Sequence, residues 1–525
     1  MNEAKPAGGC GRLADWLLWL LVFAAGFLAL AAVQLYLPFL PGYDAYYHTA
    51  AAELIRDRGL VDSLPWVEVS LYRTRYADTE LLFHLALIPF VSLHRLYGPK
   101  LFIMLVSALL VLLSGIVARR MKLPLAWLVP FLLLAGGIGV ELRLNLCRPH
   151  LFAFGLVLLL LWALHSASSL GLFLVGFAFP LCYVAFHLPL IIAGMWFAAS
   201  LLSRSRLPWK ETAAVAAGVA LGLLVHPYRD NLLYIWWVLM AGDLTDMVWS
   251  INPPVSEFLP ASAGAVFFDT GLTIPLLLAA GAAWLYTRQR PGRRTIFCLL
   301  LFAAFTVLYF SYRRFVLYWV AFGSFAALGV IGDCRIGEKL GRLWTRHRMA
   351  TASLFAVFFF LLAGNVVKSV MGLQRADREE IIQRFEGATG WMNSNLPAGS
   401  FLFHCEWDAT PFLAYHAPGF RYMNVLSPNF SIAYSPCLHL EWENICLGKS
   451  PDAAMDIALD FGASFVLVER NEGNDLLMEE LLRDWRVLEL YRDEEAAIFE
   501  ILWPDACVPD LRGRRAGDPV GGTLE

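Results

Sequence analysis

A lone carboxylate, that of Asp44, follows the first apolar segment of the chain, in the sequence LPGYDAYYHTAAAEL. Tyr46, Tyr47 and His48 come soon after it. An acidic side chain close to a membrane segment costs free energy unless it is paired, hydrated or used for function. Asp44 could therefore act as a general acid/base, hold a metal ion, or cap the helix that the following alanines predict. The residues alone leave these roles open.

Arginines at the ends of apolar segments are the second feature with chemical meaning. The pair Arg313–Arg314 lies in YFSYRRFVLYW, and Arg148 lies in NLCRPHL, two positions before His150. The planar guanidinium group binds phosphate through two parallel hydrogen bonds. An acidic residue beside such arginines repels phosphate unless it acts as a base or holds a metal ion. The combination predicts a site for a phosphorylated lipid; the alternative for each Arg is an anchor to lipid headgroups.

The composition places these residues in a membrane protein. Of the 525 residues, 58% are hydrophobic and 16% are charged, and the mean hydropathy is +0.57. Soluble globular proteins are less apolar than this. The net charge of −3 excludes a nucleic-acid-binding signature, since basic residues occur only in short clusters. The sequence predicts a polytopic α-helical membrane protein in contact with membrane lipid.

Eleven apolar segments are each close to the roughly 20 residues that a spanning helix requires. Two further segments, 78–96 and 231–249, contain more polar residues and are predicted as amphipathic helices at the membrane interface. The first apolar segment lacks a small-residue cleavage site, so it is interpreted as a retained helix. The predicted spans are 14–38, 98–118, 122–140, 150–166, 169–184, 185–202, 211–226, 262–287, 295–311, 315–333 and 348–370.

Lysine and arginine cluster in alternate loops between the predicted spans, at 119–122, 204–210, 288–294 and 335–348. The positive-inside rule places these loops and the N-terminus in the cytoplasm, and the odd number of spans then places the C-terminus outside. The resulting outer loops are 39–97, 140–149 and 227–261. They contain most of the polar residues that interrupt the apolar pattern. We therefore expect a multi-pass membrane protein whose site lies on the outer face.

The composition changes after residue 371. Residues 1–371 are predicted as the transmembrane domain, 372–503 as a periplasmic soluble α/β domain, and 504–525 as a polar tail. Segments such as ASFVLVER and RVLELYRDEEAAIFEIL are typical of short strands. The nine cysteines lack the spacing of zinc ligands. Cys437 and Cys446 are the predicted disulfide, in an oxidising compartment.

Three motifs resemble those of the oligosaccharyltransferase catalytic subunit, a family of GT-C glycosyltransferases. YDAYYH resembles its first Asp motif, and PPVSEFLP, with Glu257, looks like its outer Ser-Glu motif. CEWDATPF, with Trp407 and Asp408, is similar to its Trp-Trp-Asp signature. The motif order and the architecture cover most of the chain. GT-C enzymes span the membrane many times and use polyprenyl-linked sugars.

The resemblance implies a GT-C-like fold and transfer of a sugar or glycan from a polyprenyl-(pyro)phosphate donor to an acceptor at the periplasmic face. It implies Asp44 and Glu257 as catalytic carboxylates. It also implies Asp44, His150 and Glu257 as ligands of a divalent cation, Mg²⁺ or Mn²⁺, with no other cofactor. The predicted substrate-binding residues are Tyr46, Tyr47, His48, Arg75, Arg148, His150, Arg313, Arg314, Trp407 and Asp408.

The chain departs from the family pattern at two places. Arg148 and His150 stand where the family has acidic metal ligands, and an arginine cannot ligate a cation. Glu406 stands in place of the first Trp of the Trp-Trp-Asp signature, so protein N-glycosylation does not carry over. The acceptor, whether glycan, lipid or protein, stays open.

Two functions of other classes fit the same composition. A transporter or flippase of lipid-linked sugars is expected to show repeats and charges near the bilayer midplane, whereas here the polar residues gather at one face. A non-catalytic assembly protein would bind a partner through the outer domain. That protein would tolerate removal of the Asp44 carboxylate, which an enzyme using Asp44 would not.

Overall fold

The computed structural model describes residues 9–244, 259–335, 348–380 and 384–502. These residues are mostly helical, with a small sheet near the C-terminus. The chain divides into two compact units. The first contains Met1–Ser63 and Arg75–Gln383, and the second contains Leu64–Thr74 and Arg384–Glu525.

The first unit is built from apolar helices joined by short turns. They are α1 (Gly9–Gln34), α2 (Tyr43–Arg58), α3 (Leu81–Leu93), α4 (Tyr97–Arg120), α5 (Leu128–Leu134), α6 (Ile138–Asn145), α7 (His150–Ser166), α8 (Ser169–Cys182), α9 (Leu188–Leu202), α10 (Trp209–Val225), α11 (Arg229–Leu244), α12 (Ala263–Asp269), α13 (Thr273–Thr287), α14 (Arg293–Ser311), α15 (Val316–Asp333) and α16 (Arg348–Glu380).

Among the described residues, four helices are long and apolar enough to cross a membrane, in α1, α4, α14 and α15. The number rises to seven if each of three bent helix pairs is one span: α5–α6, α10–α11 and α12–α13, bent by 92°, 113° and 93°. Segments 122–140 and 262–287, each predicted as one spanning helix, therefore contain a sharp bend. Helices α3, α7, α8 and α9 are apolar but shorter.

The bends in α5–α6 and α12–α13 meet backbone to backbone. Gly137 and Gly271 lie at these bends with φ of +90° and +52°, a region that residues with a Cβ rarely adopt. A Cβ on Gly137 would lie 2.1 Å from the carbonyl oxygen of Phe268, and one on Gly271 would lie 1.8 Å from that of Ala135. Asn365 of α16 donates to the same Ala135 carbonyl at 2.5 Å. Glycine is required where these broken helices touch.

A buried lysine fixes the chain just before Asp44. Lys100, near the start of α4, is 1% exposed, and its Nζ donates to the carbonyl oxygens of Gln34, at 2.9 Å, and of Leu37. These carbonyls lie at and beyond the C-terminal end of α1, where helix carbonyls lack intrahelical partners. Gln34 also donates to the carbonyl of Asn145 in α6, at 2.7 Å. The segment leading to α2 is thus held by α4 and α6.

The second unit is an α/β domain. Its sheet has the order β1-β2-β4-β3, in which β1 is parallel to β2 and the other pairs are antiparallel. Apolar residues on the strands pack against helices around one core. The elements are α17 (Glu386–Asn395), β1 (Leu402–Phe403), α18 (Thr410–His416), α19 (Asn429–Tyr434), α20 (Pro436–Cys446), α21 (Ala453–Asp460), β2 (Phe465–Glu469), α22 (Asp475–Arg483), β3 (Val487–Arg492) and β4 (Ala496–Ile501).

Segment 64–74 belongs to this second unit, although the sequence places it inside the loop 39–97. The backbone N–H groups of Glu68 and Val69 donate to the carbonyls of Tyr422 and Met423 at 2.8 and 2.9 Å. The Glu68 carboxylate also pairs with Arg421 at 2.6 Å. The segment therefore extends the domain through main-chain hydrogen bonds.

The disulfide predicted between Cys437 and Cys446 is wrong. The structure joins Cys405 to Cys446, with their Cα atoms 5.5 Å apart, and leaves Cys437 exposed as a free thiol. Cys437 and Cys446 both lie on α20, where a separation of nine positions corresponds to roughly 13 Å along the axis. A disulfide cannot bridge that distance.

Candidate functional site

Asp44 forms an ion pair with Arg148. Its Oδ2 lies 3.1 Å from Nε of Arg148, and the side chains are 30% and 17% exposed. The N-cap of α2 is Gly42, with φ of +79°, and no side chain caps this helix. Asp44 lies in the first turn instead, where a negative charge is favoured by the helix dipole. Helix capping is therefore not the role of Asp44.

The loop between α6 and α7 supplies the arginine. Arg148 precedes α7, which begins at His150. His150 Nε2 lies 2.9 Å from the carbonyl oxygen of Arg143 and must donate a hydrogen to it. Of the two predicted phosphate ligands in this loop, Arg148 thus contacts Asp44, whereas one ring nitrogen of His150 is engaged by the backbone.

A second polar group lies one turn further along α2. Nδ1 of His48 is 2.9 Å from Nε2 of His84, and Nδ1 of His84 is 2.8 Å from Oδ2 of Asp78. All three side chains are buried. The sequence predicted His48 as a site residue but assigned no role to Asp78 or His84. Their position in the same polar loop was the available signal.

The charges around these three residues disfavour a positive charge on His48 and favour one on His84. Burial, followed by the charges of His84, Arg148 and His150, lowers the pKa of His48 well below its ordinary value. Burial also disfavours the cation of His84, but Asp78 outweighs it and raises the pKa of His84. His48 is therefore neutral near pH 7.

A neighbouring acid, Glu80, is buried enough for its pKa to rise to about 7, first through desolvation and then through the charge of Asp78. Its backbone N–H donates to Oδ1 of Asp78 at 3.0 Å, and its Oε1 accepts from Thr79 at 2.6 Å. Glu80 therefore lies at the acidic end of the histidine group and titrates near neutral pH.

The aromatic residues after Asp44 are part of the core. The hydroxyl of Tyr46 accepts a hydrogen bond from the Leu40 N–H at 3.3 Å. The buried ring of Tyr47 makes edge contacts with His48 and His84, with centroids 5.3 and 6.1 Å apart. Both tyrosines therefore pack around the polar residues of the site.

The other predicted arginines have separate surroundings. Arg75 lies over the ring of Tyr234 in α11, 5.1 Å from its centroid. Arg314 lies 5.6 Å from the ring centroid of Phe315. Arg313 forms two hydrogen bonds with Asp269, a fully buried residue of α12. The sequence missed Asp269, although a lone acid inside an apolar segment is itself a signal of function or pairing.

In the second unit, Asp408 pairs with Arg384, whose Nη1 lies 3.3 Å from Oδ2. Arg384 also pairs with Glu469, and Trp407 packs against the domain core. Burial raises the pKa of the neighbouring Glu406, which accepts long hydrogen bonds from Asn471 and Asn474. Arg384 was not identified from sequence.

The described contacts of Asp44 and His150, two of the predicted metal ligands, compete with a divalent cation. A guanidinium group lies against the Asp44 carboxylate, where a cation would be repelled, and His150 uses Nε2 for a carbonyl. Glu257 lies outside the described residues. Within the described part of the chain, one acidic group could hold a cation: Glu441, Asp456 and Asp460, with ligand atoms within 4.8 Å of one another.

Comparison with known proteins gives a fold. No family model matches the chain, and no curated protein matches it by sequence. The crystal structure of the Archaeoglobus fulgidus oligosaccharyltransferase, tethered with an acceptor peptide, matches with a TM-score of 0.60 at 14% identity, over 86% of this chain and 69% of that one. ArnT from Cupriavidus metallidurans, bound to undecaprenyl phosphate, matches with a TM-score of 0.53 at 13% identity, over 92% and 97%. The chain has the GT-C fold.

A third protein extends this likeness. The mycobacterial arabinofuranosyltransferase AftD matches with a TM-score of 0.56 at 14% identity, over 93% of this chain and 40% of AftD. The resemblance to GT-C proteins inferred from the motifs is confirmed as a GT-C fold. The apolar helices agree with a membrane protein of this fold.

Proposed function

We propose that this chain is an integral-membrane glycosyltransferase. It transfers a sugar or glycan from a polyprenyl-(pyro)phosphate donor to an acceptor at the periplasmic face of the bacterial inner membrane. The GT-C fold supports this proposal, as do the undecaprenyl phosphate bound to ArnT and the acceptor peptide of the oligosaccharyltransferase. The observation that carries it is the partly exposed Asp44–Arg148 pair, which sets a carboxylate beside a phosphate-binding group.

In the proposed reaction, Asp44 accepts the proton of the acceptor hydroxyl or amine as that atom attacks C1 of the sugar. The bond between C1 and the phosphate oxygen breaks, and its electron pair stays with the leaving phosphate. Arg148 stabilises the negative charge that develops on that oxygen. Both groups must be present, because one handles the proton and the other the leaving group.

Arg148 supplies the positive charge in this scheme. A guanidinium group carries its charge at every physiological pH and donates in a fixed planar geometry. A cation bridging Asp44 to the phosphate would have to displace it. We therefore infer that transfer continues after treatment with EDTA. Arg75 and Arg314 stay candidates for further donor contacts, and Trp407 and Asp408 for acceptor contacts.

The test uses the purified full-length protein with radiolabelled polyprenyl-phosphate sugars, with and without EDTA. Asp44→Asn removes the charge at nearly constant size and should lower transfer by orders of magnitude at unchanged thermal stability. Asp230→Asn is the matched control, because Asp230 also lies in the first turn of a helix but is 92% exposed. Transfer at the wild-type rate in the Asp44→Asn variant would refute the assigned site, and the absence of transfer from every donor would refute the function.

A further inference from the structure

Three buried side chains form a continuous array that the reaction described above does not use. Asp78, His84 and His48 are 1%, 0% and 4% exposed. The two junctions, Asp78 Oδ2 to His84 Nδ1 and His84 Nε2 to His48 Nδ1, measure 2.8 and 2.9 Å. Each histidine can accept a proton at one ring nitrogen and release one at the other. The array therefore has the connectivity of a proton path.

The hydrogen-bond roles follow from its acidic end. The Asp78 carboxylate accepts from Nδ1–H of His84, so neutral His84 accepts at Nε2 from Nδ1–H of His48. Nε2 of His48 then has a lone pair. A proton binding there lets His48 pass its Nδ1 proton to His84, and the positive charge comes to rest beside Asp78. Uptake at one end places the charge at the other.

The surrounding charges favour this direction. Arg148 and His150 act on His48 and disfavour a resting cation there. Asp78 and Glu80 act on His84 and favour one. Among the described residues, Tyr47, His226 and Tyr228 also interact electrostatically with Asp78.

We propose that Asp78, His84 and His48 form a proton relay that restores the Asp44 carboxylate after each transfer. This relay rests on the proposed function, in which the acceptor gives its proton to Asp44. Asp44 and His48 are four positions apart on α2 and so share one face of it, with their Cβ atoms about 6 Å apart. In the relay, a water between the two side chains carries the proton. The proton moves from Asp44 to Nε2 of His48, and no electron transfer or co-reactant is needed.

The array acts through Asp44 and makes no contact with the sugar, so its members are positioning residues. Glu80 adjoins Asp78, since its backbone N–H donates to Oδ1 of Asp78, and its charge adds to that of Asp78 in favouring the His84 cation. The proton on His84 must then reach water before the next transfer. A merely structural array would stabilise α2 against α3 but would leave the pH dependence of turnover unchanged.

The kinetic test compares wild type with Asp78→Asn and His84→Gln in the full-length protein. The relay must be deprotonated to accept a proton, so the rate falls at low pH as it becomes protonated. Asp78→Asn removes the charge that stabilises the His84 cation. It should lower kcat tenfold or more at pH 7.5 and change the donor KM less than twofold. It should also move the acid limb of the pH–rate profile, where the rate falls at low pH, at least one pH unit lower.

His187→Gln is the structural control, because His187 accepts from Trp236 at 3.2 Å and has no place in the array. It should keep both the rate and the acid limb. If Asp78→Asn is folded and keeps the wild-type acid limb, the relay is wrong while the glycosyltransferase stands.

A second measurement does not depend on turnover. Ring-¹⁵N-labelled histidine in proteoliposomes, with His48→Gln and His84→Gln for assignment, reports the protonation of each nitrogen. We expect His84 to become the cation on acidification while His48 stays neutral, and Asp78→Asn to abolish this order. Independent titration of both histidines overturns the relay, even if the wild type transfers no sugar and the proposed function fails.

Discussion

Arg313 grips the buried carboxylate of Asp269 with two hydrogen bonds, of 2.5 Å from Nε and 2.9 Å from Nη2. This bidentate pair joins the turn between α14 and α15 to the end of α12, whose bend packs against that of α5–α6. Asp269 is fully buried, so loss of this partner would leave a buried acidic group unpaired. The guanidinium group of Arg313 therefore binds a protein carboxylate rather than standing open to a donor phosphate. Its neighbour Arg314 remains a candidate phosphate ligand.

Substitution of the two neighbouring arginines by lysine should separate these roles. Arg313→Lys loses the fork against a buried acceptor, so we expect a loss of about 1–3 kcal/mol in stability at unchanged donor affinity. Arg314→Lys should leave stability unchanged and weaken donor binding by about tenfold. Thermal unfolding and donor KM are measured for both. Equal donor affinity in Arg314→Lys removes Arg314 from the site.

Arg148→Lys should reduce transfer by tenfold or more while expression and thermal stability stay near wild type. Lysine retains one charge but cannot donate in two parallel directions to a phosphate. Arg95→Lys is the matched control, because Arg95 pairs with Glu53 at 2.9 Å but has no proposed role. Full activity of the Arg148→Lys variant would show that Arg75 or Arg314, rather than Arg148, binds the phosphate.

Thiol counting tests the disulfide. Nine cysteines, less the two of the Cys405–Cys446 bond, leave seven that a maleimide should label in denatured, unreduced protein. Reduction should raise the number to nine, and Cys437→Ser should lower both numbers by one. If Cys437 were bonded instead, its substitution would release its partner, and the unreduced number would rise from seven to eight. Breaking the bond should cost about 4 kcal/mol by loop entropy.

The membrane orientation is tested by reporter fusions. The basic loops predict cytoplasmic reporters at Arg120, Arg206 and Arg290, and periplasmic reporters at Ser63 and after Asp408. A cytoplasmic reporter at Ser63 would place Asp44 on the wrong side for a periplasmic acceptor.

Individual helices were predictable where an apolar segment is bounded by strong signals. Segment 150–166 was predicted as a helix, and α7 spans His150–Ser166. The bends at Gly137 and Gly271 were not predicted, because apolar content continues across them and only the contacts with Phe268 and Ala135 require glycine. Hydropathy indicates that a segment is buried in lipid or protein, but it does not indicate where a helix bends.

The candidate site was predictable in part, for a different reason. Asp44, His48 and Arg148 stood out because polar residues are rare beside apolar segments. Their partners depend on chain segments brought together by folding: Arg148 lies 104 positions from Asp44, and His84 lies 36 from His48. Sequence spacing could identify the members of the site, but not which of them are paired.

The last prediction concerns the acid stability of the second unit. Burial, together with repulsion from Arg384, lowers the pKa of His404 to about 4, although a hydrogen bond that the ring donates to the backbone of Glu406 opposes the change. Its Nε2 accepts from the N–H of Met423 at 3.2 Å, which requires the neutral ring. Above pH 6.5 neither state is protonated, so His404 exerts no pH effect there.

Between pH 6.5 and 4 the unfolded chain binds a proton that the folded domain does not, so stability falls as the pH falls. The slope approaches 1.4 kcal/mol per pH unit, for a total of about 3 kcal/mol. The raised pKa of Glu406 has the opposite sign, so the contribution of His404 is isolated as the difference between wild type and His404→Gln, which keeps an acceptor for Met423. Hydrogen exchange of residues 400–446 in the full-length protein, corrected for intrinsic rates, measures it. His416→Gln, at the partly exposed end of α18, should retain the wild-type slope, and an equal slope in His404→Gln would show that the buried ring is not responsible.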